Sequence, residues 1–462
     1  MNTERKLGVG SGAAICMGLI VATSCLVSLG QGFGLAGRDF IFVMIIVAVL
    51  NAFVALSFSE LNYMMPNVTG GLGQYMLVGL GPWASIVSNL SAYVITNVFA
   101  GPAELTMCGI VLHILFPAVP TVVFSVAVLL TLFILNLFGV DIFAKVQSVT
   151  VALLIFSMAA LGVLGLFHVG TGVPVAPEEV APPITDIGGI IGLSALAFWL
   201  FIGVEFIVPV SKDMKNPRRT IPLSMMLALG ILLVVQSVLG SGMINYVGTE
   251  EMLSVDLPHI AYAERLLGRA GTIWMGIVTL LATASTLNTI LPAVGKILQG
   301  MAEEGMMPKF LGKTNKYRAP WVGMSIMVIA ILTMVLSGFV NSSGLINMIL
   351  AGSCFYLASY VLTHLNVLVL RKRYPHAIRN KKLKLGGIPQ VIGMVGCVYM
   401  IWNISSDMDD RIMIYKTFWM LFVILALFAF GWVKSAMKAK PFKPTYIGQM
   451  NIDKSLNVKS SL

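Results

Sequence analysis

Apolar runs of about twenty residues, each closed by a short polar or glycine- and proline-rich break, recur along the whole chain, and a run of that length is what an α-helix needs to cross a bilayer. They fall near residues 12–34, 40–64, 84–113, 120–138, 144–168, 187–210, 222–246, 271–299, 320–340, 344–370, 388–405 and 412–435, which makes twelve predicted spans. Before the eighth, residues 257–267 read as a short amphipathic helix lying outside the membrane. The first run has no small-x-small cleavage site and more runs follow it, so it is expected to be a span and not a removed signal.

Charge orders these spans. If both ends face the cytoplasm, 25 of the 30 Lys and Arg residues fall on inner segments, and only Arg38, Arg265, Arg269, Arg411 and Lys416 fall outside. An even number of spans satisfies the positive-inside rule throughout, whereas one span more or fewer would reverse every later loop. The formal charge of +10 is thereby assigned to the inner leaflet and not to nucleic acid. With 57% hydrophobic and 11% charged residues, the chain has too little charge for a soluble protein, which carries about 25%. The expectation is a multi-pass cell-membrane protein: one transporter domain over 1–435 and a cytoplasmic tail over 436–462, with the basic stretch after Lys434 lying as a frayed helix on the inner leaflet.

Two spans are interrupted. The first holds Gly18, then Ala22-Thr23-Ser24-Cys25, then Gly30, Gly32 and Gly34; the sixth holds Gly188, Gly189 and Gly192, then Phe201-Ile202-Gly203-Val204-Glu205 and Pro209. Glycine and proline weaken a helix and leave backbone groups free to meet a solute. Each interrupted span opens a block of five, and blocks of odd number run in opposite senses through the membrane. Paired interruptions of this kind point to an inverted-repeat transporter with a midplane site. The repeats are placed at about 12–168 and 187–370, with extra helices at about 388–435.

Within these spans, ionisable residues are the candidates for function, because a charge at membrane depth costs about 2.5 kcal/mol or more. Glu205 lies at the sixth-span break and is a candidate for coupling and gating. Glu104 follows Gly101-Pro102 in the third span and is a candidate to hold a substrate ammonium or a coupling proton; the alternative is a carboxylate at the outer mouth. Trp199, a few residues before the break, offers a ring face to a cationic amine, against the plainer reading of core packing. Ser285 and Thr286 of the eighth span are possible sodium ligands, though membrane hydroxyls more often join helices. The five cysteines, Cys16, Cys25, Cys108, Cys354 and Cys397, lack metal or redox spacing and read as small buried hydrophobes, with Cys25 alone placed at a break. No zincin motif, nucleophile elbow or P-loop is present, which argues against an enzyme or an ATP-driven pump.

Several stretches resemble the amino acid–polyamine–organocation transporters. They are Phe198-Trp-Leu-Phe-Ile-Gly-Val-Glu205 with Met214-Lys-Asn-Pro-Arg-Arg-Thr-Ile-Pro222, and Ser59-Glu60-Leu61 through Gly81-Pro82-Trp83. Met301-Ala-Glu-Glu-Gly305 through Trp321, and Leu370-Arg-Lys-Arg-Tyr-Pro375, agree as well. The resemblance implies an all-α, leucine-transporter-like fold of two inverted five-helix repeats, with helices 1 and 6 broken and two helices added at the C-terminal end. It implies an amino acid or, alternatively, an amine substrate, moved by proton symport, sodium symport or exchange, with no cofactor, as a monomer or homodimer. The sixth span is similar to that of the arginine/agmatine antiporters, where a residue matching Trp199 covers substrate and one matching Glu205 is linked to gating and protons. Carried onto this sequence, the substrate site comprises Thr23, Ser24, Cys25, Ala100, Ala103, Glu104, Trp199, Phe201 and Gly203. Two departures stand out. The family's Gly-Ser-Gly at the first break is here Thr23-Ser24-Cys25, and the fifth span is wholly apolar at 153–156, where many proton-coupled members carry a lysine.

Overall fold

A computed structural model describes residues 7–447 apart from 67, 69, 177–178, 182–186, 339–342, 378, 380–384 and 406–407. The chain folds into α1 (Val9–Ile20), α2 (Thr23–Ala36), α3 (Phe40–Met64), α4 (Leu72–Gly79), α5 (Pro82–Asn89), α6 (Thr96–Leu115), α7 (Thr121–Asn136) and α8 (Val140–Leu166). It continues with α9 (Ile187–Gly192), α10 (Ser194–Phe198), α11 (Pro217–Met243), α12 (Thr249–Ser254), α13 (Pro258–Leu267) and α14 (Arg269–Glu303). α15 (Trp321–Leu336), α16 (Ser343–Arg373), α17 (Ile388–Trp402) and α18 (Met408–Ser435) complete it. Among the described residues, seven stretches of helix are long and apolar enough to cross a membrane, and α1, α7, α15 and α17 are shorter apolar helices. Large apolar side chains such as Phe156, Trp402 and Leu427 stand exposed on the outside, where a bilayer and not water accommodates them.

Helix neighbours in the two halves correspond. α6 packs on α7 as α14 packs on α15, and α6 meets α15 as α14 meets α7. α8 lies against α14 as α16 lies against α6, and α1 lies against α11 as α10 lies against α3. These paired contacts describe an all-α, multi-span membrane fold with an inverted-repeat arrangement of its helices.

Proline and glycine set the local ends. Pro82 and Pro217 each sit in the first turn of their helix, where a missing N–H costs nothing. α11 therefore starts at Pro217, ahead of the boundary at 222 that hydropathy suggests. Residues 90–95, between α5 and α6, wind as π-helix within the third span, and Pro102 follows inside α6. Gly203 adopts φ +110°, which favours glycine, and a Cβ there would meet Leu19 Cδ2 at 2.3 Å. Beyond it, residues 204–213 form a tight 3-10 segment containing Pro209.

The tail departs from the sequence expectation. Past α18 the chain through Ile447 folds back as an extended strap and is not a frayed helix. The Trp83 N–H donates to Pro441 O at 3.0 Å, the Thr445 N–H donates to Leu77 O at 3.1 Å, and the Trp83 and Phe442 rings lie 5.3 Å apart. Phe442 on the Trp83 ring and the buried Ile447 fix the strap to the corner between α4 and α5.

Candidate functional site

The first break is two residues wide: α1 ends at Ile20 and α2 begins at Thr23. A helix start leaves its leading N–H groups without backbone acceptors. Here the Cys25 and Leu26 N–H groups bond to Ala22 O, but those of Thr23 and Ser24 do not reach it. Ala22, at the N-cap, has no side-chain oxygen to offer. The carboxylate of Glu104 on α6 takes both: Thr23 N–H donates to Oε2 at 2.7 Å and Ser24 N–H to Oε1 at 3.1 Å. The positive end of the helix dipole adds to the attraction. Glu104 is buried, and α14 braces it through Thr283 Oγ1, which donates to the Glu104 backbone carbonyl at 3.3 Å and pairs with the Thr23 hydroxyl at 2.9 Å.

The second break follows α10, where residues 199–203 turn without regular helix. The Gly203 N–H, freed there, donates to the Tyr360 hydroxyl at 3.2 Å, and that hydroxyl donates to Glu205 Oε2 at 2.8 Å. Glu205 is fully buried, and its Oε1 has no hydrogen-bond partner among the described residues. Each break thus has one carboxylate assigned to its free backbone, directly at the first and through Tyr360 at the second.

Between the breaks lies a narrow cavity with about 40 Å³ of open space. Its polar wall includes Ser24, Asn97, Glu104, Trp199, Thr286 and Tyr356, and its apolar wall includes Ile20, Ile202 and Ile290. The Trp199 indole N–H donates to Ser24 Oγ at 2.8 Å and so closes one side. Of the residues expected from sequence, Ser24, Ala100, Glu104, Trp199 and Thr286 line this cavity. Thr23 contributes its backbone, and Gly203 shapes the second break. Cys25, Ala103 and Phe201 are buried off the lining, with Cys25 Sγ facing Gln236 of α11. Sequence reasoning missed Asn97 and Tyr356, which are joined at 3.1 Å from Asn97 Nδ2 to the Tyr356 hydroxyl. A buried asparagine within an apolar span was the available signal.

Ser285 and Thr286 stand beside the first-span carbonyls, as expected, but their hydroxyl protons are already committed. Ser285 Oγ donates to Gly18 O at 2.9 Å, and Thr286 Oγ1 reaches Gly18 O and Leu19 O at 3.3 Å. Gln147 of α8 fills the same place. Its Nε2 donates to Ser285 Oγ at 2.9 Å and its Oε1 accepts from Asn288 Nδ2 at 2.7 Å. The approach is so close that a Cβ on Gly18 would overlap Gln147 Nε2 at 1.4 Å, which is why glycine stands there.

Away from the cavity, the far end of α1 is latched. The Leu7 N–H donates to Asp213 O at 3.1 Å, the Lys215 N–H donates to Leu7 O at 2.8 Å, and the Lys296 ammonium pairs with the Asp213 carboxylate. Arg218 continues the seam, its Nε–H donating to Tyr63 O at 3.1 Å.

Two interrupted segments, an inverted-repeat bundle and a cavity of mixed polar and apolar lining at their junction define a helical membrane transporter. The chain belongs to the amino acid permease family, whose profile matches residues 12–447. It is 24% identical over 456 residues to a branched-chain amino acid permease of Lactococcus lactis subsp. cremoris, covering 90% of this chain and 92% of that one. It is 25% identical over 447 residues to a D-serine/D-alanine/glycine transporter of Escherichia coli K12, covering 91% of each. An L-asparagine permease of Salmonella typhimurium is 25% identical over 402 residues, 81% of this chain and 78% of the relative. Among solved structures, a manganese transporter of Eremococcus coleocola superposes with a TM-score of 0.59 at 16% identity, covering 93% of this chain and 94% of that one. At that identity the likeness is one of fold.

Proposed function

We propose that this protein is a secondary active transporter of amino acids, working as a symporter or exchanger by alternating access, with substrate bound in the cavity between the two breaks. The observation that carries the proposal is a buried carboxylate at each break: Glu104, which lines the cavity and accepts the free N–H groups of the first, and Glu205, tied through Tyr360 to the free Gly203 N–H of the second. The names of its relatives, which concern neutral amino acids, favour a small zwitterion over a polyamine.

In this reading twelve spans form a leucine-transporter-like 5+5 repeat with two helices added, and both termini are cytoplasmic. One domain covers 1–435. The Leu7–Asp213–Lys296 latch then lies at the cytoplasmic mouth and is shut, and Trp199 covers substrate from the other side, as in the arginine/agmatine antiporters that the sixth span resembles. Glu205, with one oxygen unpartnered, is the gating and coupling carboxylate. Substrate chemistry is simple: the α2 N-terminus favours a carboxylate, the Trp199 face favours an ammonium, and Ile20, Ile202 and Ile290 take an apolar side chain.

The test is uptake of radiolabelled leucine, alanine, glycine, serine and asparagine into proteoliposomes. Saturable uptake by the wild type, abolished in a folded Ala100→Trp variant that fills the cavity, is the expected result. Uptake unaffected by Ala100→Trp would move the site elsewhere.

A further inference from the structure

Glu104 occupies the two donors that a substrate carboxylate would use. Thr23 and Ser24 present the only N–H groups of the first turn of α2 that Ala22 does not accept, and both end on Glu104. Ser24, Ala22 and Glu104 line the same cavity, so a solute inside it approaches these donors from the side that Glu104 already fills. Two anionic carboxylates cannot both be served by one pair of N–H groups, because like charges at hydrogen-bond range repel strongly where water is excluded.

The surroundings decide what a displaced Glu104 can do. On α2 the facing groups are Thr23, Ser24 and the Cys25 thiol; on α6 itself, the Cys108 thiol. α14 presents Thr283 and Thr286, the unwound segment presents Trp199, and α16 presents the Tyr356 hydroxyl. Among the described residues no Lys, Arg or His forms an ion pair with Glu104, so a carboxylate taken off its donors has no cation to turn to. A buried carboxylate in that position becomes neutral by taking a proton.

Resting on the reading of the cavity as an amino acid site, we propose that substrate carboxylate and Glu104 exchange at the Thr23 and Ser24 N–H groups, and that Glu104 takes up one proton from solvent as it is displaced. The substrate carboxylate gains the two N–H bonds, and the Glu104 carboxylate becomes a carboxylic acid. The protein's own side chain thus stands in for substrate in the empty cavity, and each amino acid enters with one proton. Release on the other side reverses the exchange: the substrate leaves, Glu104 returns to the N–H groups, and the proton departs.

The experiment is calorimetric titration of the purified protein with leucine and alanine, and with their decarboxylated counterparts isoamylamine and ethylamine, in buffers of different ionisation enthalpy at neutral pH. The expected result is uptake of about one proton per amino acid bound by the wild type, the stoichiometry of a single carboxylate changing state. Glu104→Gln is expected to bind the amino acids with no proton uptake. Infrared difference spectra of the wild type, which need no variant to fold, should show a protonated carboxyl C=O stretch appearing with leucine or alanine. Amino acid binding without proton uptake and without that band overturns the exchange while leaving the transporter reading intact. So does proton uptake that persists in Glu104→Gln. Binding of the amines in preference to the amino acids also overturns it, since Glu104 then stays in place as the anion for an ammonium. If neither solute series binds and proteoliposomes show no uptake, the amino acid reading falls and takes the exchange with it.

Discussion

Trp199 and Ser24 join the two broken segments to each other: one indole N–H donates to one hydroxyl at 2.8 Å across the cavity, between residues far apart in the chain. The bond is partly exposed to the cavity, so it is suited to open and close during a cycle. A neutral hydrogen bond of this kind contributes about 0.5–1.5 kcal/mol. Trp199→Phe keeps an aromatic cover and removes the donor; it is expected to weaken substrate binding by up to about tenfold, mainly through faster release. Ser24→Ala should do the same, and the double variant should be little worse than either, which a double-mutant cycle on measured affinities will reveal.

The second break predicts a split between two kinds of transport. Glu205→Gln keeps the shape that Tyr360 holds and removes the charge. Counterflow exchange of labelled for unlabelled amino acid should survive, while accumulation driven by an imposed gradient should fail. Accumulation at the wild-type level across the pH range would make Glu205 purely structural. Tyr360→Phe strips the acceptor from the Gly203 N–H and a donor from Glu205. It is expected to cost about 1–3 kcal/mol of stability for each group left unsatisfied.

At Gly203 backbone and packing point the same way. Alanine in a left-handed conformation costs about 1–2 kcal/mol, and its Cβ would press on Leu19 Cδ2. Gly203→Ala should therefore lower the melting temperature clearly, and adding Leu19→Ala should restore only the packing share. Full restoration by the second change would show that the backbone at this break is not strained by a side chain.

Sodium is expected to be dispensable. The Ser285 and Thr286 hydroxyls donate to Gly18 and Leu19 carbonyls, and the Gln147 amide satisfies what remains. Replacing sodium by choline on both sides of the proteoliposome should leave initial uptake rates unchanged. A strict sodium requirement would mean that these oxygens let go of one another to hold the ion. Gln147→Ala should destabilise by about 1–3 kcal/mol, because Asn288 Nδ2 loses an acceptor in a buried network.

Much of this was legible in the sequence, and the exceptions have physical causes. The second span was bounded at 40–64, as α3 is, because a polar break flanks it on each side. The two interruptions were readable because the first run gathers glycines around a short polar stretch and the second puts glycine, proline and a carboxylate in one apolar run. Orientation about a helix axis was not readable. Lipid-facing and buried positions are equally apolar in a membrane, so hydropathy does not tell Ser24, which faces the cavity, from Cys25, which faces α11. In the fifth span attention to 153–156 missed Gln147, which lies nearly two turns earlier and is the residue that reaches α1. The Glu104 contact with Thr23 and Ser24 joins helices from distant parts of the sequence, and no local pattern encodes it.

The strap that lies on Trp83 makes the order of synthesis matter. The corner at Gly81-Pro82-Trp83 leaves the ribosome early, and the chain that covers it, from Pro441 to Ile447, emerges only after α18 has been inserted. Until then the Trp83 backbone N–H lacks the Pro441 carbonyl and the ring has only α18 beside it, through Phe422 and the Ala426 carbonyl, so the bundle is not finished when its last helix is in place. A premature stop codon just after Ser435 would spare every helix and every residue of the cavity, yet it would yield a protein whose unsealed corner invites quality-control proteases. Its lesion would register as lost abundance, and the few surviving copies would transport at the normal rate.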